Sequence, residues 1–167
     1  MIKRRILSVL LENEPGALSR IMGLFSQRGY NVDSLCVATT ADPSLSRLTI
    51  TTQCDDKVIE QITKQINKLV DVFKVSDLTD GDHVERELML VKVATPTEQV
   101  RAEIKRSVDI FRGQIVDVSP RNYTIQVTGP SDKLDALLRT LSESADVTEA
   151  SRTGVCGLAR GEKSLKI

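Results

Sequence analysis

The sequence predicts an α+β protein of two small domains in tandem, each a β-α-β-β-α-β unit. Three observations carry that prediction. Strand-like alternation and helix-like 3.6-residue periodicity follow one another in the same order twice along the 167 residues. A polar stretch with a central glycine, Thr79 to Arg86, separates the two runs. Apolar residues make up 40% of the chain and the formal charge is zero, a balance with no signature of disorder. The element order is the ferredoxin-like one, a four-stranded antiparallel sheet with both helices on one face. The expected division is a first domain over 1–78, a linker over 79–86, a second ferredoxin-like domain over 87–152 and a flexible tail over 153–167.

Arg4 to Leu11 is apolar on nearly every position and reads as a central strand. A helix is expected from Pro15 to Arg28, with Leu18, Ile21, Met22 and Phe25 on one face and Gly29 just past its end. Asn31 to Thr39 is the second strand, Thr40 to Ser44 a turn built on Asp42 and Pro43, and Arg47 to Thr52 the third strand. Asp55 and Asp56 open a second helix with a stripe of Ile59, Ile62, Ile66 and Leu69, and Val70 to Leu78 closes the unit. In the second unit, Leu88 to Thr95 is a strand. Thr97 caps a helix carrying Val100, Ile104, Val108 and Phe111, which Gly113 closes. Gln114 to Ser119 and Tyr123 to Thr128 form a hairpin, Ser131 caps a helix with Leu134, Leu137, Leu138 and Leu141, and Val147 to Ser151 ends the repeat. A unit of this size buries only about 60% of its unfolded surface. Dimerisation through sheet edges or faces is therefore expected.

Composition removes several function classes. Lys plus Arg equals Asp plus Glu at 23 each, so no global positive field attracts nucleic acid. With no tryptophan, three phenylalanines and two tyrosines, a base-stacking platform is hard to build. No run approaches the roughly 18 apolar residues of a membrane span. Glu12 and Glu14 interrupt any signal-peptide core. Cys36, Cys54 and Cys156 are odd in number and lack C-x-x-C spacing, so they read as reduced thiols of a cytoplasmic protein. The single histidine, His83, falls in the linker, and no nucleotide-binding glycine motif, metal-ligand cluster or acid/base pair is evident. No catalytic residue and no metal ligand is assigned. The glycine-dense Gly154 to Gly161 stretch follows no clear strand-to-helix pattern.

What remains is one well-formed turn, Asn13-Glu14-Pro15-Gly16-Ala17-Leu18, between the first strand and the first helix. Pro15 suits a first helical turn, and Gly16 lets a ligand approach the backbone. The amides of Gly16, Ala17 and Leu18 are then first-turn donors that a carboxylate fits, with the helix dipole behind them. Plain helix capping explains the same residues. The counterpart in the second unit, Thr95-Pro96-Thr97, has no glycine for such an approach.

The stretch from Ile6 to Ile21, followed by Gly23 to Asn31, resembles the ACT domain, a small-molecule-sensing module. The similarity extends through Leu45 to Ile50, Lys68 to Val72, Val84 to Lys92, Ile110 to Val118 and Thr153 to Gly161. Over essentially the whole chain it is similar to the small, regulatory subunits of acetolactate synthase. The resemblance implies a non-catalytic chain with no cofactor of its own. Its partner would be a catalytic large subunit using thiamine diphosphate, magnesium and FAD. It also implies a homodimer, activation of that partner, and feedback inhibition by valine, or by leucine or isoleucine, between paired domains. The expected amino-acid-binding residues are Asn13, Pro15, Gly16, Ala17 and Leu18 of one protomer with Asn31 and Val32 of the facing one. On local grounds Asn31 reads equally well as a turn residue after Gly29. The second domain is the candidate for much of the large-subunit contact, with the first sheet as a further candidate. A free-standing ACT-type regulator acting through another protein is the alternative.

Overall fold

The computed structural model describes residues 1–167. The chain forms two compact units, one of residues 1–84 together with 155–167 and one of residues 85–154. In the first, β1 (Lys3–Glu12), α1 (Ala17–Gln27), β2 (Ser34–Thr39), β3 (Leu45–Cys54), α2 (Asp56–Asn67) and β4 (Val72–Asp77) follow the expected order. The sheet order is β2-β3-β1-β4, all antiparallel. Central β1 pairs Leu7 with Ile50 and Val9 with Leu48. These side chains meet Ala17, Ile21 and Phe25 of α1 and Ile59, Ile62 and Ile66 of α2 in one core. Alternation therefore puts both helices on one face.

Helix boundaries have local causes. The Asp55 carboxylate accepts from the Val58 amide at 2.9 Å and starts α2. At the end of α1 the chain passes through Gly29 at φ 70, and the Tyr30 amide reaches back to the Phe25 carbonyl at 3.0 Å. The Phe25 and Tyr30 rings then meet edge to face, 5.8 Å between centroids.

The second unit repeats the plan with β5 (His83–Ala94), α3 (Glu98–Ile110), β6 (Gln114–Ser119), β7 (Asn122–Gly129), α4 (Ser131–Ser144) and β8 (Val147–Arg152), in sheet order β6-β7-β5-β8. Met89, Val91 and Val93 pack on Ile104, Val108, Leu134, Leu137 and Leu141. Thr97 caps α3 as expected, through the Val100 amide at 3.2 Å.

Several expectations are corrected. Ser131 is the first residue of α4 and gives it no side-chain cap; its hydroxyl donates instead to Glu87 at 3.0 Å. The left-handed residue after α3 is Arg112, φ 58, not Gly113. The linker is shorter than 79–86, because β5 already begins at His83. Residues 153–167 are not a free tail. β9 (Cys156–Ala159) pairs with β5, whose first two residues belong to the first unit, and Val155 packs against Ile6 and Leu78. No helix is long and apolar enough to cross a membrane.

Candidate functional site

The end of β1 is pinned on both sides. The Glu12 amide donates to the Asp71 carbonyl and the Asn13 amide to the Ser44 carbonyl, each at 2.8 Å. Asn13 Nδ2 donates to the Pro43 carbonyl at 3.0 Å and lies 3.5 Å from Thr39 Oγ1. Asn13 thus ties the β1–α1 connection to the β2–β3 turn.

Pro15 is not in the helix. It occupies the second position of a turn over residues 14–17, closed by the Ala17 amide on the Glu14 carbonyl at 3.2 Å. Gly16, φ 86 and ψ −12, takes the left-handed third position that a type II turn reserves for glycine. This turn uses the Ala17 amide, so it is no longer one of three open donors. The amides of Gly16, Leu18 and Ser19 find no acceptor within the chain, and α1 has no side-chain cap. Asn13, Pro15 and Gly16 are exposed, Leu18 is half-buried and Ala17 is buried.

A cation stands over these donors. A Cβ built on Gly16 would lie 3.0 Å from Arg20 Nη1. Arg20 Nε donates to Asp71 Oδ2 at 2.5 Å, which orients the guanidinium. That hydrogen bond holds the Asp71 carboxyl below the usual carboxylate range, although the residue is only 6% exposed. Sequence reasoning missed both residues. Arg20 lies four positions after Gly16, on the same helical face, and that spacing was a readable signal. Asp71 reaches the site from a distant loop and gave none.

Asn31 and Val32 lie elsewhere in the protomer. Both precede β2, and the Asn31 carbonyl accepts from Thr52 Oγ1 at 2.5 Å. Thr52 pairs with Arg5 near the start of β1, whereas Glu12 pairs with Leu45. The two halves of the expected site are thus at opposite ends of the sheet, seven residues apart along β3, or roughly 24 Å at about 3.4 Å per residue.

The comparisons with known proteins cover both units. Residues 7–74 match the model of the acetolactate synthase (AHAS) small subunit-like ACT domain, and residues 86–161 match the small subunit of acetolactate synthase. The acetolactate synthase isozyme 3 small subunits of Salmonella typhimurium and Escherichia coli are 61% and 60% identical, each over 98% of this chain and 99% of the relative. A crystal structure of the acetolactate synthase small subunit from Thermotoga maritima superposes with a TM-score of 0.86 at 39% identity, covering 96% of this chain and 99% of that one. The chain belongs to the acetolactate synthase small-subunit family.

Within this small-subunit chain the ACT domain carries the turn, Arg20 and Asp71. The second unit starts its first helix from Thr97, extended at φ −133, with no glycine beneath it. No group of three or more His, Cys, Asp or Glu side chains is placed to hold a metal ion. Burial raises the pKa of the Cys36 and Cys54 thiols, so neither is tuned for nucleophilic work.

Proposed function

We propose that the chain is the regulatory subunit of a cytoplasmic acetolactate synthase, raising the activity of its catalytic large subunit and conferring feedback inhibition by valine. The single observation that carries the sensing role is the Gly16 turn, with unpaired amides on one side and a cation held by Asp71 on the other. The valine carboxylate docks on the Gly16 and Leu18 amides beside Arg20, and Asn13 braces the turn. The α1 dipole adds about 0.3–1 kcal/mol, or up to about 2 kcal/mol where partly buried. Burying the valine side chain adds about 1.5–3 kcal/mol. Neither suffices alone, which favours a site closed by two chains.

The edge strand β2 suggests how two chains close it. One side of β2 pairs with β3 and the other has no strand partner. Pairing two copies of β2 antiparallel about a two-fold axis sets the start of one against the end of the other. Asn31 and Val32 of one protomer then approach Thr39 of its partner, beside the partner's Asn13 and turn. Two equal sites result, and the ligand bridges the protomers. The second unit, which lacks the turn, supplies much of the large-subunit contact.

The test is reconstitution. The chain is mixed with an acetolactate synthase large subunit, and acetolactate formation is measured with and without valine, then with leucine and isoleucine. Higher activity that valine suppresses is expected. An unchanged rate that no amino acid affects would remove this reading.

A further inference from the structure

The face of the first sheet that turns away from α1 and α2 carries Arg47 of β3, opposite Leu10 of β1 and Ala38 of β2. The C-terminal segment lies along this face. The Val155 amide donates to Ser34 Oγ at 3.4 Å, and Arg47 Nη2 donates to the Gly157 carbonyl at 2.8 Å. Past β9 the chain does not close onto the sheet. A cavity of about 630 Å³ remains between residues 158–165 and the β3–β4 surface, lined among others by Arg47, Asp77, Leu78, Leu158, Lys163 and Leu165. That volume is within the usual range for small-molecule sites, about 300–1,000 Å³.

The charges in this cavity are unbalanced. Arg47 makes no ion pair, and its one side-chain hydrogen bond goes to a neutral carbonyl. Burial pushes its guanidinium pKa down without a carboxylate to restore it. Lys163 is exposed and makes no ion pair with any carboxylate of the chain. Asp77 borders the cavity, but it pairs with Leu7, so its carboxylate is on the helix-bearing face near Arg5, where its Oδ1 accepts from the Thr79 amide at 2.9 Å. The cavity therefore carries uncompensated positive charge from Arg47 and Lys163, with the half-buried Arg47 guanidinium next to leucine side chains.

We propose that this cavity is a second small-molecule site, separate from the Gly16 turn, that takes a short aliphatic carboxylate. The carboxylate meets the free edge of the Arg47 guanidinium, whose planar fork matches two oxygens. The aliphatic body lies against Leu78 and Leu158. A phosphate is disfavoured, because no helix start lines the cavity and the apolar wall leaves its remaining oxygens unpaired.

Titration calorimetry on the full chain, with sodium 3-methylbutanoate as the probe, tests the assignment. Saturable binding is expected in the wild type and in Arg20→Gln, which removes the cation beside the Gly16 turn and no residue of the cavity lining. At least a tenfold loss is expected in Leu158→Glu, which sets a carboxylate at the mouth of the cavity, and in Arg47→Gln. Arg47 also anchors the C-terminal segment, so Leu158→Glu, at a side chain 61% exposed, decides the matter if Arg47→Gln unfolds. No saturable heat, or affinity that falls in Arg20→Gln but not in Leu158→Glu, overturns the proposal. Displacement of the probe by equimolar inorganic phosphate also overturns it, as the sign of a general anion site.

Discussion

Arg20 Nε and Asp71 Oδ2 are 2.5 Å apart, and this pair joins the first turn of α1 to the residue that precedes β4. The same Asp71 accepts the Glu12 amide through its carbonyl, so one residue fixes both the strand leading into the turn and the cation beside it. Arg20 is half-exposed and Asp71 is buried, so the carboxylate acts as the positioning group and the guanidinium keeps donors open to solvent.

Replacing Arg20 with Gln is therefore expected to weaken valine binding by roughly tenfold or more, as loss of a charge-assisted hydrogen bond does. Basal stimulation of the large subunit is expected to persist. Calorimetry with valine and the reconstituted assay report the two separately. Unchanged valine affinity would place the carboxylate away from Arg20.

The Asp71 pair also predicts a pH dependence. The folded-state pKa of Asp71 lies below its unfolded value, near 3.9 for an ordinary aspartate. Stability from the pair is thus fully present above the ordinary carboxylate range and is lost as pH falls through the lowered folded value. Urea midpoints for wild type and Asp71→Asn are expected to differ at neutral pH and to converge as pH falls through the lowered folded value of Asp71. A gap that stays constant across that window would mean Asp71 acts by packing alone.

Val37 tests the proposed pairing of two chains. It lies on edge strand β2 and is 40% exposed. Lysine on such an edge sets like charges against each other across a two-fold axis, a common block to strand pairing. Val37→Lys is expected to sediment as a monomer at micromolar concentration and to lose the valine response while keeping its far-UV circular dichroism. A dimer of unchanged strength would move the interface off β2.

The hydrophobic periods made most of the architecture legible. Leu7, Val9 and Leu11 alternate, Ile59, Ile62 and Ile66 recur at helical spacing, and these short-range signals are what the cores use. The helix begins two residues after Pro15, because proline fits both the start of a helix and the second position of a type II turn. The four residues of β9 carry no alternation, and their place depends on contacts with Ile6, Arg47 and Leu78 far back in the chain. Asp71 and Arg47 were illegible for the same reason. Each acts through a partner from a distant segment, and sequence spacing does not encode that.

Glu87 and Arg152 give a stability prediction in the second unit. Glu87 is 5% exposed and accepts from Arg152 Nε at 3.1 Å, Arg152 Nη2 at 2.9 Å and Ser131 Oγ at 3.0 Å. Arg152 also reaches Asp135 at 2.6 Å, so strand β8 and helix α4 are joined at β5 through one guanidinium. Arg152→Met leaves a buried carboxylate with a single hydroxyl donor. The expected cost is at the low end of about 3–5 kcal/mol, because the arginine side chain retains 28% exposure to water. Adding Glu87→Leu removes the stranded charge, and the double variant is expected to regain most of the lost stability. Urea denaturation of the four members of this cycle gives the coupling directly. A double variant no more stable than Arg152→Met would show that the pair contributes by shape rather than by charge.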